Sequence, residues 1–185
     1  AVHGYMDVAL HPQFAQNQLL YLSYTKPLPD NKRTIAVARA RWTGDSLADV
    51  KDIFVANDNA GGAVPLAFGR DGMLYIGTSG GTAQSLENYG GKVLRIRDDG
   101  GVPADNPFVG QAGAKPEIYT LGHRSPLGLA VHPATGEVWE SENGPNGGDE
   151  LNIIRAGKNY GWPLVSYGRT YPGPWQSTQI GRAHV

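Results

Sequence analysis

The chain has 185 residues, 40% hydrophobic and 18% charged, with 26 glycines and 13 prolines; this is a globular, turn-rich composition and not a disordered one. Its 16 basic and 17 acidic residues leave a formal net charge of −1 with no block of either sign, which speaks against nucleic acid and against anionic membrane surfaces as partners. No 18-residue apolar run offers a membrane span, and the lack of cysteine removes disulfides, thiolate metal sites and cysteine nucleophiles together.

From the N-terminus, Met6–Asp7–Val8–Ala9–Leu10–His11–Pro12 leads into the strand-like Leu19–Leu20–Tyr21–Leu22–Ser23–Tyr24. Ile35–Ala36–Val37–Ala38–Arg39–Ala40 is a further strand. Leu66–Ala67–Phe68–Gly69–Arg70–Asp71–Gly72 then leads into Met73–Leu74–Tyr75–Ile76–Gly77–Thr78. A short helical turn is expected near Ala83–Tyr89, and Lys92–Val93–Leu94–Arg95–Ile96 is again a strand. Leu129–Ala130–Val131–His132–Pro133 precedes a Thr135–Gly136 turn and Glu137–Val138–Trp139–Glu140–Ser141, with Leu151–Asn152–Ile153–Ile154 beyond.

Three of these units repeat one another: an apolar strand, a polar turn, and a second strand carrying an aromatic residue. Their matching alanines, Ala9, Ala67 and Ala130, are 58 and 63 residues apart. A period of about sixty residues with several short strands per unit indicates an all-β fold, a β-propeller with large blades. Some three blades are expected within residues 1–179, too few to close a ring. Residues 180–185, Ile180–Gly181–Arg182–Ala183–His184–Val185, read as a translated sequencing adapter and are set apart from function.

The chemistry concentrates between Tyr119 and Tyr171. Carboxylates at Glu140, Glu142, Asp149 and Glu150 among turn-forming glycines suit a hard cation such as Ca²⁺, or form a plain solvated loop. Arg124 offers a planar fork for a carboxylate or anionic cofactor, or pairs with a nearby glutamate. His123, His132 and His11 read as turn histidines. Tyr160, Trp162, Tyr167, Tyr171 and Trp175 suit a sugar or planar-ring site or inter-blade packing, with packing preferred for Trp162. No phosphate loop, dinucleotide fingerprint or serine-hydrolase elbow is present.

Three motifs, Gly122–His123–Arg124–Ser125–Pro126–Leu127–Gly128–Leu129, Glu142–Asn143–Gly144–Pro145–Asn146–Gly147–Gly148–Asp149–Glu150–Leu151–Asn152 and Gly157–Lys158–Asn159–Tyr160–Gly161–Trp162–Pro163, resemble the pyrroloquinoline-quinone (PQQ) dependent glucose/sorbosone and aldose sugar dehydrogenases. Asp7–Val8–Ala9–Leu10–His11–Pro12–Gln13–Phe14, Gly91–Lys92–Val93–Leu94–Arg95 and Asp105–Asn106–Pro107–Phe108 fit the same family. The resemblance implies a six-bladed propeller that oxidises an aldose at its anomeric carbon, with hydride passed to PQQ. It implies Arg124, Ser125 and Asn143 at the cofactor, and Ca²⁺ held by the carbonyls of Gly144 and Pro145. It places a second, structural Ca²⁺ at Glu150 and Tyr160. A sugar substrate, an external electron acceptor, a periplasmic or secreted location and a homodimer accord with it.

Departures from the family pattern stand beside these matches. The family's catalytic histidine, expected before Leu66–Ala67–Phe68, has no counterpart in Asn57–Asp58–Asn59–Ala60–Gly61–Gly62–Ala63–Val64–Pro65. Ser79–Gly80–Gly81 stands where the carboxylate orienting that base is expected, Val2 where a cofactor-touching glutamine is expected, and Ser125 where the family has asparagine. Asp58 is therefore the expected substitute base. The alternative is a propeller that keeps calcium, lacks turnover, and binds carbohydrate or protein. A lactonase-like hydrolase is disfavoured, because the adjacent Asp149 and Glu150 point to opposite faces of a strand.

Overall fold

The computed structural model describes residues 3–58, 60–169 and 171. Val2, Trp175 and the segment 180–185 lie outside the described residues.

The chain forms three antiparallel sheets in succession. The first contains β1 (His3–Leu10), β2 (Leu19–Pro27), β3 (Arg33–Trp42) and β4 (Leu47–Val55), in that spatial order. The second contains β5 (Leu66–Phe68), β6 (Leu74–Thr78), β7 (Lys92–Ile96) and β8 (Ile118–Leu121), and the third β9 (Pro126–Val131), β10 (Val138–Glu142) and β11 (Glu150–Ile153). The first strands meet in sequence, β1 touching β5 and β5 touching β9. One helical turn, α1 (Phe14–Asn17), lies between β1 and β2, whereas residues 83–89 form irregular turns. Strands β4 and β8 complete two of the sheets beyond the strands that periodicity indicates.

The sequence repeat is a register repeat. Ala9 stands opposite Tyr21, Ala67 opposite Tyr75, and Ala130 opposite Trp139. A small residue across from a ring gives each first hairpin the same cross-strand fit. His11 and His132 follow two residues after their alanines and close the turn. His11 Nδ1 accepts from Gln13 N at 3.0 Å and His132 Nδ1 from Thr135 N at 3.1 Å. Their rings stack on Tyr21 and Trp139. In the second sheet the equivalent residue is Gly69, where a Cβ would lie 2.7 Å from the Tyr75 ring. There Asp71 takes over the turn, accepting from Met73 N and from Tyr75 Oη.

The middle sheet is buried on both faces, and period-two alternation divides its residues between two cores. Leu74, Ile76, Leu94 and Ile96 pack with Tyr21, Ile35, Val37 and Phe54 of the first sheet. Tyr75 and Val93 pack with Val138 and Ile154 of the third. Gly77 permits the second junction, since a Cβ there would lie 2.8 Å from both Pro65 and Pro126.

Lys92, also in the middle sheet, is fully buried. Its Nζ donates to the carbonyls of Thr82, Ala83 and Gly90 at 3.0, 3.1 and 2.5 Å, tying the long β6–β7 loop to the sheet. Burial pulls its pKa down from 10.5 to about 8. Lys92→Met leaves three buried carbonyls unpaired and is expected to cost about 2–3 kcal/mol in urea unfolding near neutral pH. Between pH 8 and 10.5 the unfolded chain retains a lysine proton that the folded chain has released, so wild-type stability gains on the variant as pH rises through that window. A difference that is flat with pH would show that Lys92 stays charged when buried.

Candidate functional site

The three motifs that lie apart in sequence come together at one end of the second and third sheets. Beyond β8, Leu121 N donates to Lys158 O at 3.1 Å, Tyr160 N to Leu121 O at 2.9 Å and Trp162 N to Gly122 O at 2.8 Å. The third motif thus runs alongside the first as an added parallel segment. The second motif enters at the end of β10, where Asn143 N donates to Ser125 O at 3.2 Å.

Glu142 fastens the junction. Its Oε2 accepts from the backbone N of Arg124 at 2.5 Å and of Ser125 at 3.1 Å. Its Oε1 faces His123 Nδ1 at 3.3 Å and accepts from Asn152 Nδ2 at 3.1 Å. A buried carboxylate taking two backbone N–H groups is a strong, charge-assisted anchor for the turn that carries Arg124.

Arg124 therefore gives Glu142 its backbone and sends its guanidinium elsewhere. Nη1 donates to the carbonyls of Asn143 and Gly144, both at 2.9 Å. The guanidinium lies over the rings of Trp162, at 5.4 Å, and Tyr171, at 5.9 Å, so Trp162 is a partner of the site's cation. Among the described residues, Nε and Nη2 make no hydrogen bond, leaving that edge available to an anion. The loop after Gly144 curls tightly. A Cβ at Gly144 would fall on the carbonyl oxygens of Gly147 and Gly148, and Gly144 N donates to Asp149 Oδ1 at 3.0 Å. Pro145 is buried beside Gly168. Ser125 Oγ reaches Ser79 Oγ at 3.4 Å.

The acidic residues divide into two environments. Asp149 is exposed, whereas Glu140 and Glu142, two apart on β10 and so on one face, point inward with Asn152 of β11. His123 is not a turn residue of the kind expected. It is fully buried among them, bonded through Nε2 to Thr120 Oγ1 at 2.8 Å and stacked on Tyr160 at 4.6 Å. Burial, then the charge of Glu142, raises the pKa of Glu140 well above the carboxylate range, and the same causes push Glu150 up to about 6. The Tyr160 hydroxyl donates to Ile153 O at 2.6 Å and accepts from Arg155 N at 3.0 Å, and burial raises its pKa to about 12. Its ring faces His123 while its hydroxyl is tied to the β11 end; no hydrogen bond joins it to Glu150.

Asp58 sits elsewhere, in the loop after β4. Its Oδ1 accepts from Ala60 N at 3.0 Å and its Oδ2 from Tyr89 N at 2.6 Å. With Ala60, Gly80, Gly81, Thr82 and Asn88 it lines a cavity of about 230 Å³. Arg124 lines a separate, smaller cleft with Glu142, Gly144, Glu150 and Trp162. Paired strand-like contacts between Gly61 and Ser79, and the Ser79–Ser125 contact, connect the two. The anchoring role of Glu142 and Asn152 is absent from the expectations, although the inward alternation of Glu140 and Glu142 carried that signal.

The chain is similar to known proteins over most of its length. The aldose sugar dehydrogenase YliI of Escherichia coli K12 is 39% identical over 182 residues, covering 92% of this chain and 48% of that protein. The quinoprotein glucose dehydrogenase B of Acinetobacter calcoaceticus is 36% identical over 199 residues, covering 89% and 40%. The chain thus spans less than half the length of these curated relatives. Among solved structures, a crystal structure of a glucose dehydrogenase matches with a TM-score of 0.87 at 42% identity, over 92% of this chain and 52% of that one. The PQQ-bound aldose sugar dehydrogenase of Streptomyces coelicolor matches with a TM-score of 0.70 at 32% identity, over 88% and 49%. The sequence model of the Glucose / Sorbosone dehydrogenase family matches residues 2–184, and the chain belongs to that family.

Proposed function

We propose that the protein of which this chain forms part is a PQQ- and Ca²⁺-dependent dehydrogenase that oxidises an aldose at its anomeric carbon, built as a six-bladed propeller to which these three sheets contribute blades. The observation that carries this reading is Arg124. Its guanidinium is anchored on two carbonyls, backed by aromatic rings, and left with one open edge. That is a fitting seat for a carboxylate of a polyanionic planar cofactor.

PQQ, when bound, supplies the two-electron oxidant that accepts hydride from the sugar. Arg124 holds its anionic edge, with Ser125 and Asn143 flanking it. The carbonyls of Gly144 and Pro145 hold Ca²⁺; the Gly144 oxygen accepts one Arg124 N–H and keeps a second lone pair. Glu150 and Tyr160 are assigned to a second Ca²⁺. Asp58 takes the anomeric hydroxyl proton in place of the family's histidine. The electron acceptor is external, the location periplasmic or secreted, and the assembly a homodimer. Residues 180–185 are taken as adapter-derived.

One observation favours a second reading, a propeller that retains calcium and binds carbohydrate or protein without turnover. Both oxygens of Asp58 are already engaged by backbone donors, so a substrate hydroxyl must compete with them.

Titrating the full-length apo-protein with PQQ should show Ca²⁺-dependent binding in the cofactor's absorbance, followed by bleaching on addition of aldoses with a dye acceptor. Calcium binding without PQQ binding would favour the second reading. Arg124→Ala is expected to weaken PQQ binding about 10- to 100-fold, the value of a charged hydrogen-bond pair; unchanged affinity would remove Arg124 from the site. Asp58→Asn is expected to lower kcat about 10²- to 10⁴-fold with PQQ affinity retained, and a variant of wild-type activity would reassign the base.

A further inference from the structure

The buried group behind the Arg124 turn has no role in the chemistry above. Asn152 Nδ2 stands 3.1 Å from both Glu140 Oε2 and Glu142 Oε1, and 3.4 Å from Glu150 Oε2. His123 Nδ1 lies 3.3 Å from Glu142 Oε1 and 3.7 Å from Glu140 Oε2. Glu140 is 0% exposed and Asn152 1%. Yet Glu140 Oε1 and Asn152 Oδ1 have no hydrogen-bond partner among the described residues. The Asn152 amide faces both glutamates through its nitrogen. Orphaned buried oxygens beside clustered carboxylates are what a missing cation leaves behind.

We propose that His123, Glu140 and Glu142 form a buried structural site for a divalent ion of the Zn²⁺ class, separate from the calcium positions assigned above. The ligand atoms of these three lie within 4.8 Å of one another. A tetrahedral ion with bonds of about 2.0–2.2 Å sets its ligand atoms about 3.4 Å apart, and the two imidazole–carboxylate separations of 3.3 and 3.7 Å fall on either side of that value. An imidazole nitrogen favours zinc over calcium or magnesium, which prefer oxygen alone. Thr120 Oγ1 on Nε2, at 2.8 Å, orients the ring so that a neutral histidine turns its Nδ1 lone pair to the ion. Two carboxylates balance the double charge, and the lack of exposure makes uptake part of folding. Glu142 is at once a ligand and the anchor of the Arg124 and Ser125 backbone, so the ion fixes the turn that presents Arg124.

The test uses the full-length protein, unfolded in chelator, refolded with Zn²⁺ in excess Ca²⁺, freed of loose metal by gel filtration and analysed by elemental mass spectrometry. Wild type is expected to retain one more zinc per chain than Glu140→Gln. Its melting temperature should fall by at least about 5 °C when refolded without zinc, with no such response in the variant. Zinc K-edge absorption of wild type should show one imidazole among light-atom ligands at about 2.0–2.1 Å. Equal zinc content in the two proteins, or a wild type indifferent to zinc, would overturn the site and leave the group as a proton-sharing cluster. Should Glu140→Gln fail to fold, the wild-type absorption spectrum decides, and a bound zinc lacking imidazole overturns the assignment.

Discussion

A single carboxylate at the end of β10 holds three chain segments in one place. Glu142 accepts from the backbone of Arg124 and Ser125 and meets His123 and Asn152, so the first motif, the end of β10 and strand β11 share one anchor. The third motif adds by main-chain pairing to Leu121 and Gly122. Arg124 can therefore be partly exposed yet well placed, because its backbone is fixed from inside while its side chain rests on carbonyls and rings. A functional group held in this way needs little reorganisation to meet a ligand.

Much of this architecture is legible in the residues, and the exceptions have physical reasons. The alanine spacing reveals three hairpins because a small residue facing a ring is a packing requirement that recurs at each one. Strand β4 escapes periodicity because it is an outer strand, with Asp49, Lys51 and Val50 all turned to solvent. The motifs locate the Arg124 turn and the Gly144 loop, since both are continuous in sequence. They do not locate the environment of His123, which depends on Glu140 and Asn152 arriving from two other strands. Nor do they show that Asp58 lies in a cavity of its own, because that depends on how the β4–β5 loop pairs with Ser79.

The family membership and the sheet arrangement bear on one another. First strands that meet in sequence along one line bring the loops after β8 and β10 to a common end, which is where propellers gather ligand sites. Interleaved packing makes the middle sheet the firmest of the three, with every residue of β6 and β7 buried. The flanking sheets bear exposed apolar side chains instead, Val8 and Leu10 on β1 and Leu151 on β11.

The interleaving also has a consequence in time. The first sheet is complete by Val55, but its inner face is covered by Leu74, Leu94 and Ile96. The Tyr21 hydroxyl finds its acceptor, the Asp98 carbonyl, only 77 residues further on. At synthesis rates of about 5–20 residues per second, the completed first sheet waits on the order of 2–9 seconds with its apolar face uncovered. A chaperone that binds extended apolar strands has that interval in which to act, and slow codons between Val55 and Asp98 would lengthen it.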